Sequence, residues 1–161
     1  MVREGAQRSP VARRRFLIVI LVTALTTLLA VGPATAKTPR KRLFAMLNAA
    51  RQSHHRRPVR FSLKLSDTAK QHTRRMVRRD QLFDVPNLSQ VLAPFNWSWG
   101  GSVEGCGSTL WGIHKAMMHH AAHRRIMLAP EARRVGIGVV KTTDRTSCGR
   151  NVFWVTEILY G

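Results

Sequence analysis

The chain has 161 residues, with 27 Lys and Arg against 8 Asp and Glu, for a formal net charge of +19. That length fits a single packed domain with a short additional segment and leaves little room for a second core. Charge of this sign and size turns the surface away from cationic partners and toward polyanions: anionic lipid, acidic cell-wall polymers or nucleic acid. A solvated Arg-rich face is the alternative.

Residues 1–15 carry Arg3, Arg8, Arg13, Arg14 and Arg15 against Glu4, and Phe16 to Val31 is an apolar run. Gly32-Pro33 and then Ala34-Thr35-Ala36 come next. This order of basic segment, short apolar segment, helix break and small-x-small site describes a secretory signal peptide over residues 1–36. The apolar run is shorter than the roughly 20 residues that span a bilayer. An uncleaved N-terminal anchor is the alternative, and both place the rest of the chain outside the cytoplasmic membrane, secreted or in the cell envelope. Export argues for envelope polymers and lipids over nucleic acid. Residues 37–161 retain 22 Lys and Arg against 7 Asp and Glu, a net of +15.

Residues 37–41 read as a basic linker. Leu43, Phe44, Met46, Leu47 and Ala50 recur at helical spacing, with Arg51 and Gln52 outside, and predict a first helix from about Arg42 to His54. Pro58 ends that segment. Val59, Phe61 and Leu63 alternate as a short extended piece. Ser66 suits an N-cap and Asp67 a first turn, so a second helix is expected to about Asp80. It buries Ala69, His72 or Thr73, and Met76, while Lys70, Arg74, Arg75, Arg78 and Arg79 face out. From Asp84 to Gly107, two prolines and four glycines predict loop, with Trp97 and Trp99 plugging the core. Ser108 is the expected cap of a third helix whose buried stripe is Leu110, Ile113, His114, Met117 and Ala121. A helical turn around Arg124–Leu128 ends before Pro130.

The last third reads as a β-hairpin. Val135, Ile137 and Val139 point one way, while Gly136 and Gly138 point the other and permit close packing. Val152 to Leu159 is apolar on both faces, as in a strand covered on two sides. The even pair Cys106 and Cys148, in an exported domain, reads as a disulfide, with free or metal-binding thiols as the alternative. Helices and a small antiparallel sheet together predict an α+β fold, a three-layer α/β/α sandwich.

These segments, in this order, resemble the CAP superfamily, or SCP domain, and its bacterial exported branch. LFAMLNAARQ resembles the family's opening Leu-x-Asn-x-x-Arg, and VRFSLKLSDTAKQHTRRM its second helix and lead-in. LFDVPNL resembles a Leu-Phe-His-x-Pro-x-Leu element. IHKAMMHHAAHRRIMLAP resembles a helix ending in Ser-Pro-x-His-Arg-x-x-Ile-Leu-x-Pro, and VGIGVV and VFWVTEILYG the closing strands. The resemblance covers residues 42–161 and implies the same three-layer fold. It also implies a cleft with two His and two acidic residues, which binds a divalent metal in some members. Here His123 stands at the His of the His-Arg motif, Asp84 where the other His would be, and Ser102 at the first acid, with Glu104 two residues on. The second acid's segment, Met117 to His120, has no carboxylate.

His119 and His123 share a helical face if the helix persists, and His120 lies three residues from His123. With Glu104 and Asp84 they make a candidate set for Zn2+ or another divalent metal. Polar helix-end histidines without a metal are the competing reading. HHAAH has the spacing of a zinc-protease helix, but His120 stands where the water-activating Glu belongs. Three functional classes remain: a non-enzymatic module that binds an anionic cell-wall polymer, lipid or membrane surface; a metal-dependent hydrolase with a re-formed site; and a membrane-active antimicrobial domain.

Overall fold

The computed structural model describes residues 38–161; the expected export signal and its cleavage site lie outside the described residues. Helix α1 spans Pro39–Ser53 and begins inside the segment expected to be linker. The Thr38 hydroxyl accepts from the Lys41 amide, and Pro39 opens the helix where its missing N–H costs nothing. Strand β1 is only Arg60–Phe61. Helix α2 spans Leu63–Arg79 and is capped by Ser62, not Ser66. Ser66 is buried within the helix and serves β3 (Arg134–Thr146) instead: its Oγ donates to the Ser62 carbonyl at 2.7 Å and accepts from the Ile137 amide at 3.0 Å.

A short helix α3 (Leu88–Leu92) precedes β2 (Gly100–Gly107). The expected loop up to Gly107 therefore ends in an eight-residue strand. Helix α4 (Leu110–His119) is capped by the Thr109 hydroxyl, not by Ser108. It stops at His120, whose backbone is extended at φ −78°, ψ 118° and which leads into α5 (Ala121–Met127). Ala121 is thus exposed on a second helix and is not part of α4's buried stripe. Strand β3 turns back into β4 (Gly149–Tyr160).

The sheet has four strands in the order β1-β3-β4-β2. β3 and β2 run antiparallel to β4, and β1 pairs parallel with β3. β4 is central, as its two-sided apolar pattern predicts. Its alternate residues Val152, Trp154, Ile158 and Tyr160 meet the α2–α3 layer, and Val155 and Leu159 meet the layer of α1, α4 and α5. This is the three-layer α/β/α sandwich. Gly136 and Gly138 face α2 so closely that a Cβ at Gly138 would lie 2.4 Å from the Ala69 carbonyl carbon and the Lys70 nitrogen.

Polar side chains also take part in the interior. Arg51, expected outside, is fully buried. It continues the Leu43–Leu47 stripe at four-residue spacing, and its guanidinium donates to the carbonyls of Arg57, Met127, Ala129 and Ala132. Asn48, on the same helix, pairs both its amide groups with the Val59 backbone at 2.9 and 3.1 Å. Glu157 is fully buried on the α1–α4 side of β4, with cross-strand neighbours Val103 and Ile137, and neither of its oxygens has a hydrogen-bond partner. His72 and His114 are buried, as expected, while Trp97 is 36% exposed and only Trp99 packs on the core.

Cys106 and Cys148 form the expected disulfide, with Cα atoms 6.0 Å apart. It ties the free edge strand β2 to the turn between β3 and β4.

Candidate functional site

The site forms where three segments meet at the open edge of β2. Residues 80–87 leave the C-terminus of α2 through Asp80, which adopts the left-handed conformation at φ 49°. The Asp80 carboxylate accepts from the Ser147 amide at 2.8 Å, and His72 Nε2 bonds the Phe83 carbonyl at 2.8 Å. The His72 and Phe83 rings also meet edge-on, with centroids 4.8 Å apart. These contacts hold the loop so that Asp84 lies within electrostatic reach of both Glu104 and His123. Glu104 and Ser102 share one side of β2, opposite Thr156 and Ile158 of β4. The α4–α5 joint supplies the far wall, with the His120 and His123 rings edge-to-face at 4.6 Å between centroids. The resulting cleft holds about 250 Å³ and is lined by Leu82, Glu104, Gly105, Met117, His120 and His123 among others.

Burial dominates the electrostatics. It pushes the Glu104 carboxyl up to about 8; the Ser102 hydroxyl and the Val85 amide oppose this in part, and the Asp84 carboxylate reinforces it. No donor reaches either Glu104 oxygen with satisfactory hydrogen-bond geometry. Burial also lowers the His123 imidazole, with help from His120 and against the pull of Asp84. At neutral pH the cleft therefore presents a protonated carboxyl and a neutral imidazole among its lining groups.

Glu104, His120 and His123 line this cleft, and Asp84 and Ser102 lie close enough to Glu104 to shift it. His119 does not line the cleft: it is exposed on the last turn of α4, and its Nδ1 bonds the Lys115 carbonyl at 2.7 Å. The expected shared helical face with His123 is lost because the helix breaks at His120. Among the described residues no group of three or more His, Cys, Asp or Glu is placed to hold a metal ion. In this geometry the five candidate ligands are not gathered into one metal-ligating group.

Residues 44–158 match the model of the cysteine-rich secretory protein family, CAP. The chain belongs to the CAP family. Its fold matches an outer surface protein of Borrelia burgdorferi with a TM-score of 0.62 at 12% identity, covering 78% of this chain and 95% of that one. It also matches an extracellular SCP-domain protein of Bacillus anthracis with a TM-score of 0.57 at 15% identity, covering 80% of this chain and 44% of that one. Venom allergen-like protein 4 of Schistosoma mansoni gives a TM-score of 0.56 at 14% identity, covering 78% and 90%. No curated protein matches the sequence. At such identities these likenesses concern the fold, and the character of the cleft rests on its own residues.

Those residues depart from the pattern that the CAP resemblance implies. On the alignment which that resemblance implies, Asp84 stands at a His position and Ser102 at an acid position, and Met117 to His120 supply no carboxylate. Sequence reasoning missed Leu82, which is 44% exposed at the cleft, and Glu157, hidden inside an apolar strand. It also placed Arg51 outside, although the Leu43–Leu47–Arg51 spacing carried the signal.

Proposed function

We propose that this CAP-family protein is exported and acts as a non-enzymatic binding module, holding an anionic polymer or lipid of the cell envelope through its basic surface. The carrying observation is charge left without partners. Among residues 38–161 there are 21 Lys and Arg and 7 Asp and Glu. Two of those seven, Glu104 and Glu157, are buried and raised to about 8, so they are protonated near neutrality. Among the described residues one ion pair forms, Arg40 with Asp67 at 4.0 Å. A surface so unneutralised focuses potential outward and favours polyanions. The disulfide suits an oxidising compartment. The similar proteins described as outer-surface or extracellular point the same way.

Binding to soluble polyphosphate and to phosphatidylglycerol vesicles, measured by fluorescence anisotropy and co-sedimentation, tests this reading. Affinity for at least one of them is expected to fall steeply between about 50 and 200 mM salt, as counterion release requires. A flat salt response, or no binding to either, refutes it.

A further inference from the structure

The groove that gathers the most unpaired charge lies at the opposite edge of the sheet from the cleft. It holds about 560 Å³ and is lined by Arg57, Pro58, Val59, Arg60, Arg133 and Arg134. Four of its six lining residues are arginines, and all four are exposed. Arg60 and Arg134 are direct partners across the parallel β1–β3 pair, so the sheet itself sets two guanidinium-bearing residues side by side. Like charges placed opposite one another destabilise a strand pair. No acidic side chain lies in the groove to offset them, and none of these arginines makes an ion pair among the described residues.

The walls are also fixed in place. The buried Arg51 guanidinium bonds the Arg57 carbonyl at 2.8 Å on one side and the Met127, Ala129 and Ala132 carbonyls on the other. Asn48 pins the Val59 backbone, and the Arg60 amide donates to the Arg133 carbonyl at 2.8 Å. The two arginine-bearing segments are therefore tied together by hydrogen bonds from beneath. Arg51 adds a further positive charge with no carboxylate partner among its hydrogen bonds. The cost of ordering the groove is met in folding, which is the condition under which a bound anion gains most.

Arginine forks match phosphate oxygens in bidentate fashion. We propose that this groove is a binding site for a phosphate-bearing polymer, whose successive phosphate groups are held by Arg57, Arg60 and Arg134, and by the Arg133 nitrogens not already bonded to the Pro130 and Ala132 carbonyls. The proposal deepens the binding-module reading and rests on it. A recess takes a chain better than it takes a bilayer face. Among the described residues, none of the four exposed large apolar side chains, Leu63, Leu82, Trp97 and Trp111, lines it, so none of them would enter a membrane there.

The test compares two charge-matched double variants of the full chain. Arg60→Gln with Arg134→Gln removes two groove arginines. Arg74→Gln with Arg78→Gln removes two exposed arginines from α2. Fluorescein-labelled polyphosphate is the probe, with phosphatidylglycerol vesicles as the second arm. The groove variant is expected to lose about tenfold in polyphosphate affinity, and its salt slope should drop by about 1.4, as for two lost contacts on a flexible polyanion. The α2 variant should lose less than about threefold. Arg60→Lys with Arg134→Lys keeps the charge without the fork and should fall between the two, so the outcome stays readable if the Gln pair melts early. Equal losses in groove and α2 variants overturn the groove while leaving the general polyanion reading intact. Loss of vesicle binding with polyphosphate binding unchanged also overturns it, in favour of a membrane occupant. Failure of the unmodified protein to bind either probe overturns both.

Discussion

Glu157→Gln should lessen the pH dependence of stability. Glu157 is fully buried on the central strand, among Val103, Ile137, Val155 and Leu159, with no partner for either oxygen. Burial raises its carboxyl from 4.5 to about 8. The folded protein therefore keeps a proton that the unfolded chain releases above pH 4.5. With the folded value above the unfolded one, stability is highest below about pH 4.5 and declines as pH rises toward 8. At about 1.4 kcal/mol per tenfold change, the full penalty above pH 8 is on the order of 5 kcal/mol, and at pH 7 it is roughly 3. Gln has nothing to ionise. Urea unfolding monitored by tryptophan fluorescence at pH 5, 6, 7 and 8 should show the variant near the native protein at pH 5 and several kcal/mol more stable at pH 8. The buried His72 and His114 and the half-buried His123 titrate with the opposite slope below 6.5, and Glu104 with the same slope as Glu157, but both proteins carry them and they cancel in the difference. A stability difference that does not change with pH refutes the argument.

Replacing Cys106 and Cys148 by Ser should cost about 3–4 kcal/mol, since the bridge spans 42 residues and closes the free edge of β2; an unchanged urea midpoint contradicts this. Gly138→Ala drives a Cβ into α2 backbone and should cost about 3 kcal/mol, at the upper end for overpacking. Gly107→Ala, whose new carbon would lie 3.3 Å from a single Ile113 methylene, should cost under about 1 kcal/mol. Equal losses at the two glycines, measured as denaturant midpoints, would show that α2 does not seat on β3 as described.

The fold was legible where packing obeys simple periods. The stripe of α2, the Val135–Val139 alternation and the two-faced apolar β4 all placed themselves. β2 escaped because Gly100, Gly101, Gly105 and Gly107 are ordinary loop signals. In the structure, Gly100, Gly101 and Gly105 leave room for Leu92, Ile126 and Met117, which press against the strand. That requirement belongs to tertiary packing and leaves no local trace. The site was half legible. Glu104 and His123 line one cleft and Asp84 acts on both, because the strand carries Glu104 under a loop fixed by His72 and Asp80. The part played by His119 was not legible, since the break at His120 has neither Gly nor Pro to announce it.

Ser66 also guards the edge of the sheet. β1 is so short that β3 beyond Val135 would offer bare amides to any passing strand. At Ile137 that amide is already taken by the Ser66 hydroxyl from the helix above. The serine thus stands in for the next residue of a strand that the chain does not supply. Unsatisfied sheet margins are templates for intermolecular strand addition. A helix residue, placed where an N-cap would be looked for, thus removes one amide from this margin.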